Sequence, residues 1–173
     1  MSTNLNFEFI VDKPTNTVSV RKEFDAGLSL VWDAFTKEEL LDQWWAPRPY
    51  VVRTKTMEFK EGGRWLYAMC GPEGDEHWCL AKYTSITPKT NFKYWDGFCN
   101  EEGVLNSVKP QSNWNLDFID QSDSLTRVDI QIKHKTLDDL EKIIEMGFKE
   151  GFTTAINGLE ELLLNNKIDK NEN

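Results

Sequence analysis

The sequence predicts an α+β fold in which a curved antiparallel β-sheet wraps around a long C-terminal α-helix. Two patterns lead to this prediction. Apolar residues recur at helical spacing from Thr136 to Leu164, whereas apolar and polar residues alternate from Tyr50 to about His134. Strict alternation indicates an antiparallel sheet that is covered on one face only, and a long amphipathic helix is the element able to cover it.

The C-terminal segment carries the strongest helical pattern. Thr136 and Asp139 fit a capping box, in which the hydroxyl accepts a backbone N–H and the carboxylate reaches back. The segment would form one helix about 40 Å long, at about 1.5 Å per residue. Its apolar side consists of Leu140, Ile143, Ile144, Phe148, Phe152, Ala155, Ile156, Leu159, Leu162 and Leu163.

Three glycines interrupt this apolar side. Gly147, Gly151 and Gly158 fall within roughly 40° of one another on the helical wheel. Three interior glycines lower helix stability by roughly 3 kcal/mol relative to alanine, so a compensating reason is expected. Either the sheet approaches the helix backbone closely, or the glycines leave space for a ligand. General experience with protein cores favours close packing, but the aromatic residues described below shift the balance toward ligand space.

The N-terminal part predicts a β-hairpin followed by two short helices. The hairpin strands are Phe7–Val11 and Thr17–Phe24, which turn residues separate. The first helix carries the apolar stripe Leu28, Val31, Trp32 and Phe35. The second covers Lys37–Trp44, with Thr36 and Glu39 as another capping-box pair, and Pro47 prevents its continuation.

The middle of the chain predicts six antiparallel strands with hairpin connections. A polar loop over 96–112, containing two glycines and a proline, is the longest irregular segment. The predicted strands are Val51–Phe59, Arg64–Cys70, His77–Ile86, Asn91–Trp95, Asn113–Ile119 and Leu125–His134.

The chain's bulk properties predict one cytoplasmic domain. Its 173 residues suit a single domain, 1–173, with a core over 17–164 and a polar, frayed tail over 165–173. The net charge of −9 argues against nucleic acid or an anionic membrane as partner. The segment Met1–Asn6 lacks the pattern of a signal peptide, and no apolar run is long enough to span a bilayer. Three cysteines, an odd number, fit reduced thiols.

The sequence offers no catalytic constellation, cofactor motif or metal site. His77 and Cys79 lie opposite Cys70, but no Cys-x-x-Cys or His-x-x-x-His spacing supports zinc. Cys70 has no evident base beside it, and a buried inert thiol is expected. His134 follows the last strand and is expected to be solvated or to cap a helix. No buried carboxylate or histidine is nominated for catalysis, and no cofactor is expected.

Aromatic residues give the best functional lead. An aromatic stripe ordinarily fills a core, but tryptophan and tyrosine have polar tips that need partners when buried. Ligand pockets combine aromatic walls with a few such polar tips. Together with the helical glycines, this composition favours a pocket. The candidate ligand-binding residues are Trp65, Tyr67, Met69, Tyr94, Trp114 and Phe118 on strands, with Phe148, Gly151 and Phe152 on the helix. Trp44 and Trp45 are candidates for an entrance rim or for a cap on the short helices.

A series of short motifs resembles a known family. The chain contains, in order, Phe24-Asp25-Ala26, Val31-Trp32, Ala34-Phe35-Thr36, Glu39-Leu40-Leu41, Gln43-Trp44-Trp45-Ala46-Pro47, Gly62-Gly63-Arg64-Trp65, Met69-x-Gly71-Pro72-x-Gly74 and Gly147-Phe148-x-x-Gly151-Phe152. The joint order resembles the SRPBCC (START-like) superfamily, and within it the branch homologous to the activator of heat-shock-protein-90 ATPase. The resemblance covers roughly Thr17–Leu164 and implies a helix-grip fold. Gly27, Lys22 and Ala46 depart from residues common in the family.

Three functions remain open from the sequence. The first is a cytosolic protein that holds a small, largely apolar or amphipathic molecule between the sheet and the C-terminal helix. The second is an enzyme of the polyketide-cyclase kind that uses the same cavity. The third, implied only by the branch name, is a stress protein that acts on a chaperone. The sequence does not specify the ligand or the oligomeric state.

Overall fold

An antiparallel sheet and four α-helices make up the structure, a computed structural model that describes residues 5–172 and the side chains through Asn166. The prediction for Met1–Asn6 therefore lies partly outside the described residues. In chain order the elements are β1 (Phe7–Asp12), β2 (Thr17–Phe24), α1 (Leu28–Thr36), α2 (Glu38–Trp44), β3 (Val51–Met57), β4 (Arg64–Cys70), β5 (Glu76–Thr87), β6 (Asn91–Phe98), β7 (Gln111–Ser122), β8 (Leu125–His134), α3 (Leu137–Glu145) and α4 (Phe148–Glu172). A 3₁₀ turn, Lys13–Thr15, joins β1 to β2.

The strands form one sheet in the order β1-β2-β8-β7-β6-β5-β4-β3, and every neighbouring pair is antiparallel. The predicted N-terminal hairpin is present, and β2 joins it to the meander by pairing with β8. Register shifts occur in β3, β5 and β7. Such irregularities bend a strand and increase its twist, which suits a sheet that curves around helices.

Alternating side chains on one face of the sheet form the core together with the helices. Trp114, Leu116 and Phe118 of β7 are buried, while the residues between them are more exposed. Helix α4 buries Phe152, Ala155, Ile156, Leu159 and Leu163 against this face. The predicted α+β helix-grip architecture, including two short helices between β2 and β3, is therefore confirmed.

The predicted single C-terminal helix is broken into α3 and α4. Thr136 caps α3 as predicted, since the Asp139 backbone N–H donates to Thr136 Oγ1 at 3.1 Å. The helix then ends because Gly147 adopts a φ of +89°, a left-handed conformation that glycine reaches without steric cost. The apolar spacing hid the break because Ile144, Phe148 and Phe152 keep a helical interval across it.

Two other helix boundaries differ from the prediction. Helix α4 continues to Glu172, beyond the predicted end at Leu164. The capping box at Thr36 was wrong: its hydroxyl donates instead to the Trp32 carbonyl at 2.8 Å, and Lys37 occupies the N-cap position of α2. Within residues 5–172, no helix is long and apolar enough to cross a membrane.

Candidate ligand-binding site

A cavity of about 250 Å³ lies between the concave face of the sheet and the C-terminal helices. Strands β4 to β8, the segment after α2, and the junction of α3 with α4 all contribute to its lining. Met146, at the junction, borders the cavity and is 58% exposed, so the cavity reaches the surface where the helix breaks. Its aromatic lining consists of Trp45, Tyr67, Phe98, Trp114, Phe148 and Phe152.

The aromatic walls hold one another in place. The Trp114 ring lies 5.7 Å from that of Trp45, 6.2 Å from that of Phe148 and 6.0 Å from that of Phe152. Trp45 Nε1 donates to the Tyr67 hydroxyl at 2.9 Å, so two buried polar tips satisfy each other. Burial raises the pKa of Tyr67 well above its ordinary value, which keeps the phenol neutral. These rings form a rigid, mainly apolar wall.

The helical glycines occupy different surroundings. Gly147 and Gly151 border the cavity. A Cβ built on Gly151 would find only Pro47 within 4 Å, with its Cγ at 3.6 Å, and no strand atom. A Cβ on Gly158 would meet nothing within that distance. Gly147 lies in the helix break and therefore does not belong to the predicted stripe of three, and the sheet does not approach the backbone at Gly151 closely.

The structure brings together six of the nine predicted ligand-binding residues. These six, which border the cavity, are Tyr67, Met69, Trp114, Phe148, Gly151 and Phe152. The other three lie behind the cavity wall or beyond it. Trp65 stacks on Tyr67 at 4.0 Å and donates to Thr54. Tyr94 stacks on Trp114 at 5.3 Å.

Phe118, the third of these residues, packs against Trp32 and Phe35 at 4.9 and 5.5 Å. It shares the concave face with Trp114 but lies four residues further along β7. Helix α1 fills that end of the sheet, so Phe118 belongs to the core. The alternation of side chains along β7 could not distinguish Trp114 from Phe118. It shows on which face of the sheet a residue lies, but not which element covers that part of the face.

A polar row crosses the otherwise apolar face at the cavity. Asp96 of β6 pairs with Ser112 of β7, and Ser112 pairs with His134 of β8. Directly paired residues in antiparallel strands point to the same face, so the three side chains lie side by side. All three border the cavity. Trp114 Nε1 donates to Asp96 Oδ1 at 3.2 Å, and Ser112 Oγ lies 3.4 Å from His134 Nδ1.

Burial perturbs the ionisation of this row. It raises the pKa of Asp96 from 3.8 to about 7, although hydrogen bonds from Trp114 and Ser112 act in the opposite direction. Burial lowers the pKa of His134, so its imidazole is neutral at neutral pH. Cys79 also borders the cavity, and burial raises its pKa to about 12. The cavity thus contains a carboxyl group that exchanges its proton near neutral pH.

The sequence interpretation missed this row. His134 is 1% exposed and not solvated, and its Nε2 is buried without a hydrogen-bond partner. Asp96 was assigned to a loop, but β6 extends to Phe98 and β7 begins at Gln111. The available signal was the alternation itself, which continues from Phe92 and Tyr94 to Asp96. The absence of a buried carboxylate or histidine was therefore a wrong inference.

Comparison with known proteins agrees with this geometry. A family model described as activator of Hsp90 ATPase homolog 1-like protein matches residues 25–164. The chain belongs to this family. The cavity, the helix break and the polar row all lie within the matched region.

Solved structures of similar proteins share the architecture of this chain. A crystal structure from Mycobacterium smegmatis is 26% identical, covers 92% of this chain and 96% of its own, and has a TM-score of 0.83. A solution structure from Arthrobacter aurescens is 26% identical, with 91% of each chain covered and a TM-score of 0.86. A Nitrosomonas europaea protein is 25% identical, with 89% and 97% covered and a TM-score of 0.77. No curated protein matches the chain.

Proposed function

We propose that this protein binds a small, largely apolar molecule in the cavity between its sheet and C-terminal helices. The observation that carries the proposal is the aromatic-walled cavity of about 250 Å³. Ligand pockets of about 300–1,000 Å³ hold drug-sized molecules, so this volume suits a smaller ligand. The SRPBCC resemblance supports the proposal because the helix-grip fold is a ligand-binding fold. We further propose that the protein acts in the cytoplasm, where its three unbridged cysteines would stay reduced.

The most direct test blocks the cavity from the helix. Gly151→Leu places an isobutyl group where the only neighbour within 4 Å is Pro47, so the new side chain extends into the cavity. Gly158→Leu is the matched control, since it makes the same change in the same helix away from the cavity lining. The probe is 4-propylanisole, a small neutral aromatic molecule, and its binding is measured by calorimetry on the full chain.

The parent and Gly158→Leu should bind 4-propylanisole with affinities within about twofold, whereas Gly151→Leu should lose about tenfold or more. Circular dichroism would establish that each variant is folded. Equal losses in both leucine variants would contradict the proposal, as would a parent protein that binds neither 4-propylanisole nor its hydroxyl analogue 4-propylphenol.

A second candidate function is an acid–base enzyme of the polyketide-cyclase kind. Asp96 favours it, because general acid–base catalysis is most efficient when the catalytic pKa lies near the working pH. Product analysis of bound keto-compounds tests this candidate: Asp96→Asn should abolish turnover while preserving binding. The chaperone-interacting alternative stays a prediction from the family name, and co-purification of a chaperone from cells would support it.

A further inference from the structure

We infer that the bound molecule carries an uncharged hydrogen-bond-donating group, a hydroxyl or an N–H, which donates to His134 Nε2 while its apolar body lies among the aromatic walls. This inference rests on the proposed function and specifies its ligand. The observation behind it is an orphaned polar atom: His134 is 1% exposed, borders the cavity, and has no partner at Nε2. Buried polar groups ordinarily have partners, so an unpaired one beside a cavity marks a position for a ligand group.

The polar row determines which hydrogen-bonding role Nε2 plays. The Ser112 hydroxyl has one proton, which it donates to the Asp96 carboxylate. Toward His134, at 3.4 Å, Ser112 Oγ can then only accept. The imidazole also has a hydrogen bond to the Gln111 backbone, and because Nε2 has no partner, that bond belongs to Nδ1. While Asp96 is ionised, the proton of the neutral imidazole therefore lies on Nδ1, which leaves Nε2 as a bare acceptor. A ligand that satisfies it has to donate.

The surroundings disfavour an anionic ligand. No lysine or arginine within the described part of the chain borders the cavity. Asp96 itself contributes negative charge when ionised, and the whole chain carries −9. An anion in this apolar space would lose its hydration without gaining a counter-charge. An uncharged donor meets Nε2 without that loss.

Three matched probes test the inference: 4-propylphenol, 4-propylanisole and 4-propylbenzoate, titrated into the full-chain protein. They share one apolar body and present a donor, a neutral group without a donor, and an anion. The phenol should bind about tenfold more tightly than the anisole, and the benzoate should bind most weakly. Long-range ¹H–¹⁵N NMR of the histidine rings should show the Nδ1–H tautomer of His134, and the phenol should shift its Nε2 resonance.

Substitutions then test whether the preference for the phenol over the anisole depends on the polar row. His134→Phe keeps a ring of similar size but removes the acceptor, so the phenol should lose its advantage while the anisole still binds. His77→Phe is the control because His77 is exposed and lies outside the cavity lining. Ser112→Ala provides an independent variant: it breaks the row and should reduce the same preference without removing His134.

The outcomes separate the inference from the proposed function. Equal affinity of the parent protein for phenol and anisole, or an Nε2–H tautomer, would overturn the inference and leave the cavity proposal standing. Failure of all three probes to bind would overturn both. Loss of the phenol preference in His134→Phe but not in His77→Phe would support the assignment to this residue.

Discussion

Alanine at Gly147 and alanine at Gly151 should change the stability of the protein in opposite directions. Gly147 has a φ of +89°, so an alanine there would adopt a left-handed conformation that costs about 1–2 kcal/mol. Nothing else opposes the new methyl group, because the nearest atom is a Glu150 carboxylate oxygen at 4.0 Å. The expected loss of stability in Gly147→Ala therefore comes from the backbone conformation alone.

Gly151 lies within α4, where replacing glycine by alanine gains about 0.8–1.0 kcal/mol of helix propensity. Its added Cβ would lie 3.6 Å from Pro47 Cγ, which is an ordinary van der Waals contact. For a chain of this size, 1 kcal/mol corresponds to about 2–4 °C in melting temperature. Gly151→Ala should therefore melt about 2–4 °C above the parent protein, and Gly147→Ala about 2–8 °C below it.

Differential scanning calorimetry measures both shifts, and urea titration checks them at constant temperature. A continuous C-terminal helix, as the sequence pattern predicted, would instead be stabilised by either alanine. Equal stabilisation by both substitutions would thus refute the assignment of a left-handed residue at Gly147. Destabilisation by Gly151→Ala would refute the open space beside α4.

Two further predictions concern local hydrogen bonding and pH. Thr136→Ala should lower the free energy of unfolding by about 1 kcal/mol, because the Asp139 amide loses its cap; urea denaturation measures this, and no change would contradict the cap. Asp96 has a folded-state pKa of about 7, above its ordinary 3.8, so its ionisation lowers stability as the pH rises between these values. Asp96→Asn should remove this loss, at most about 4 kcal/mol, whereas parallel pH profiles for parent and variant would contradict it. The groups that face Asp96 are Trp114, Ser112, His134, Tyr67, Tyr94 and Cys79. Burial raises the pKa values of Tyr67, Tyr94 and Cys79, so these three stay neutral and do not titrate together with Asp96.

Much of the fold could be predicted because its determinants are periodic. Period-two alternation placed the strands, and the motif order agreed with the helix-grip arrangement. Tyr67, Trp114 and Phe152 were found because large aromatic residues on a covered face must meet in space. Trp45 was considered only as an entrance rim or a helix cap, although its indole donates to Tyr67 inside the site. Its position after a short helix gives no periodic signal.

Two features of the site were not predicted, for different reasons. The left-handed conformation of Gly147 leaves the helical spacing of its apolar neighbours unchanged. The polar row depends on strand ends, where glycine and proline signals indicated a loop. Asp96 and Ser112 each occupy one of the alternate positions of their strand that otherwise carry apolar residues. A polar residue at such a position indicates a functional site, because burying a polar group costs free energy.

The helix break and the polar row belong to the same end of the molecule. Because the chain turns at Gly147, α3 contacts β8 and the 3₁₀ turn rather than continuing the line of α4. Ile143 of α3 and Met146 then border the cavity together with His134. This cover removes His134 from water and lowers the pKa of its imidazole, which keeps the ring neutral at neutral pH. A left-handed glycine in the C-terminal segment therefore contributes both to closing the cavity and to the hydrogen-bonding chemistry inside it.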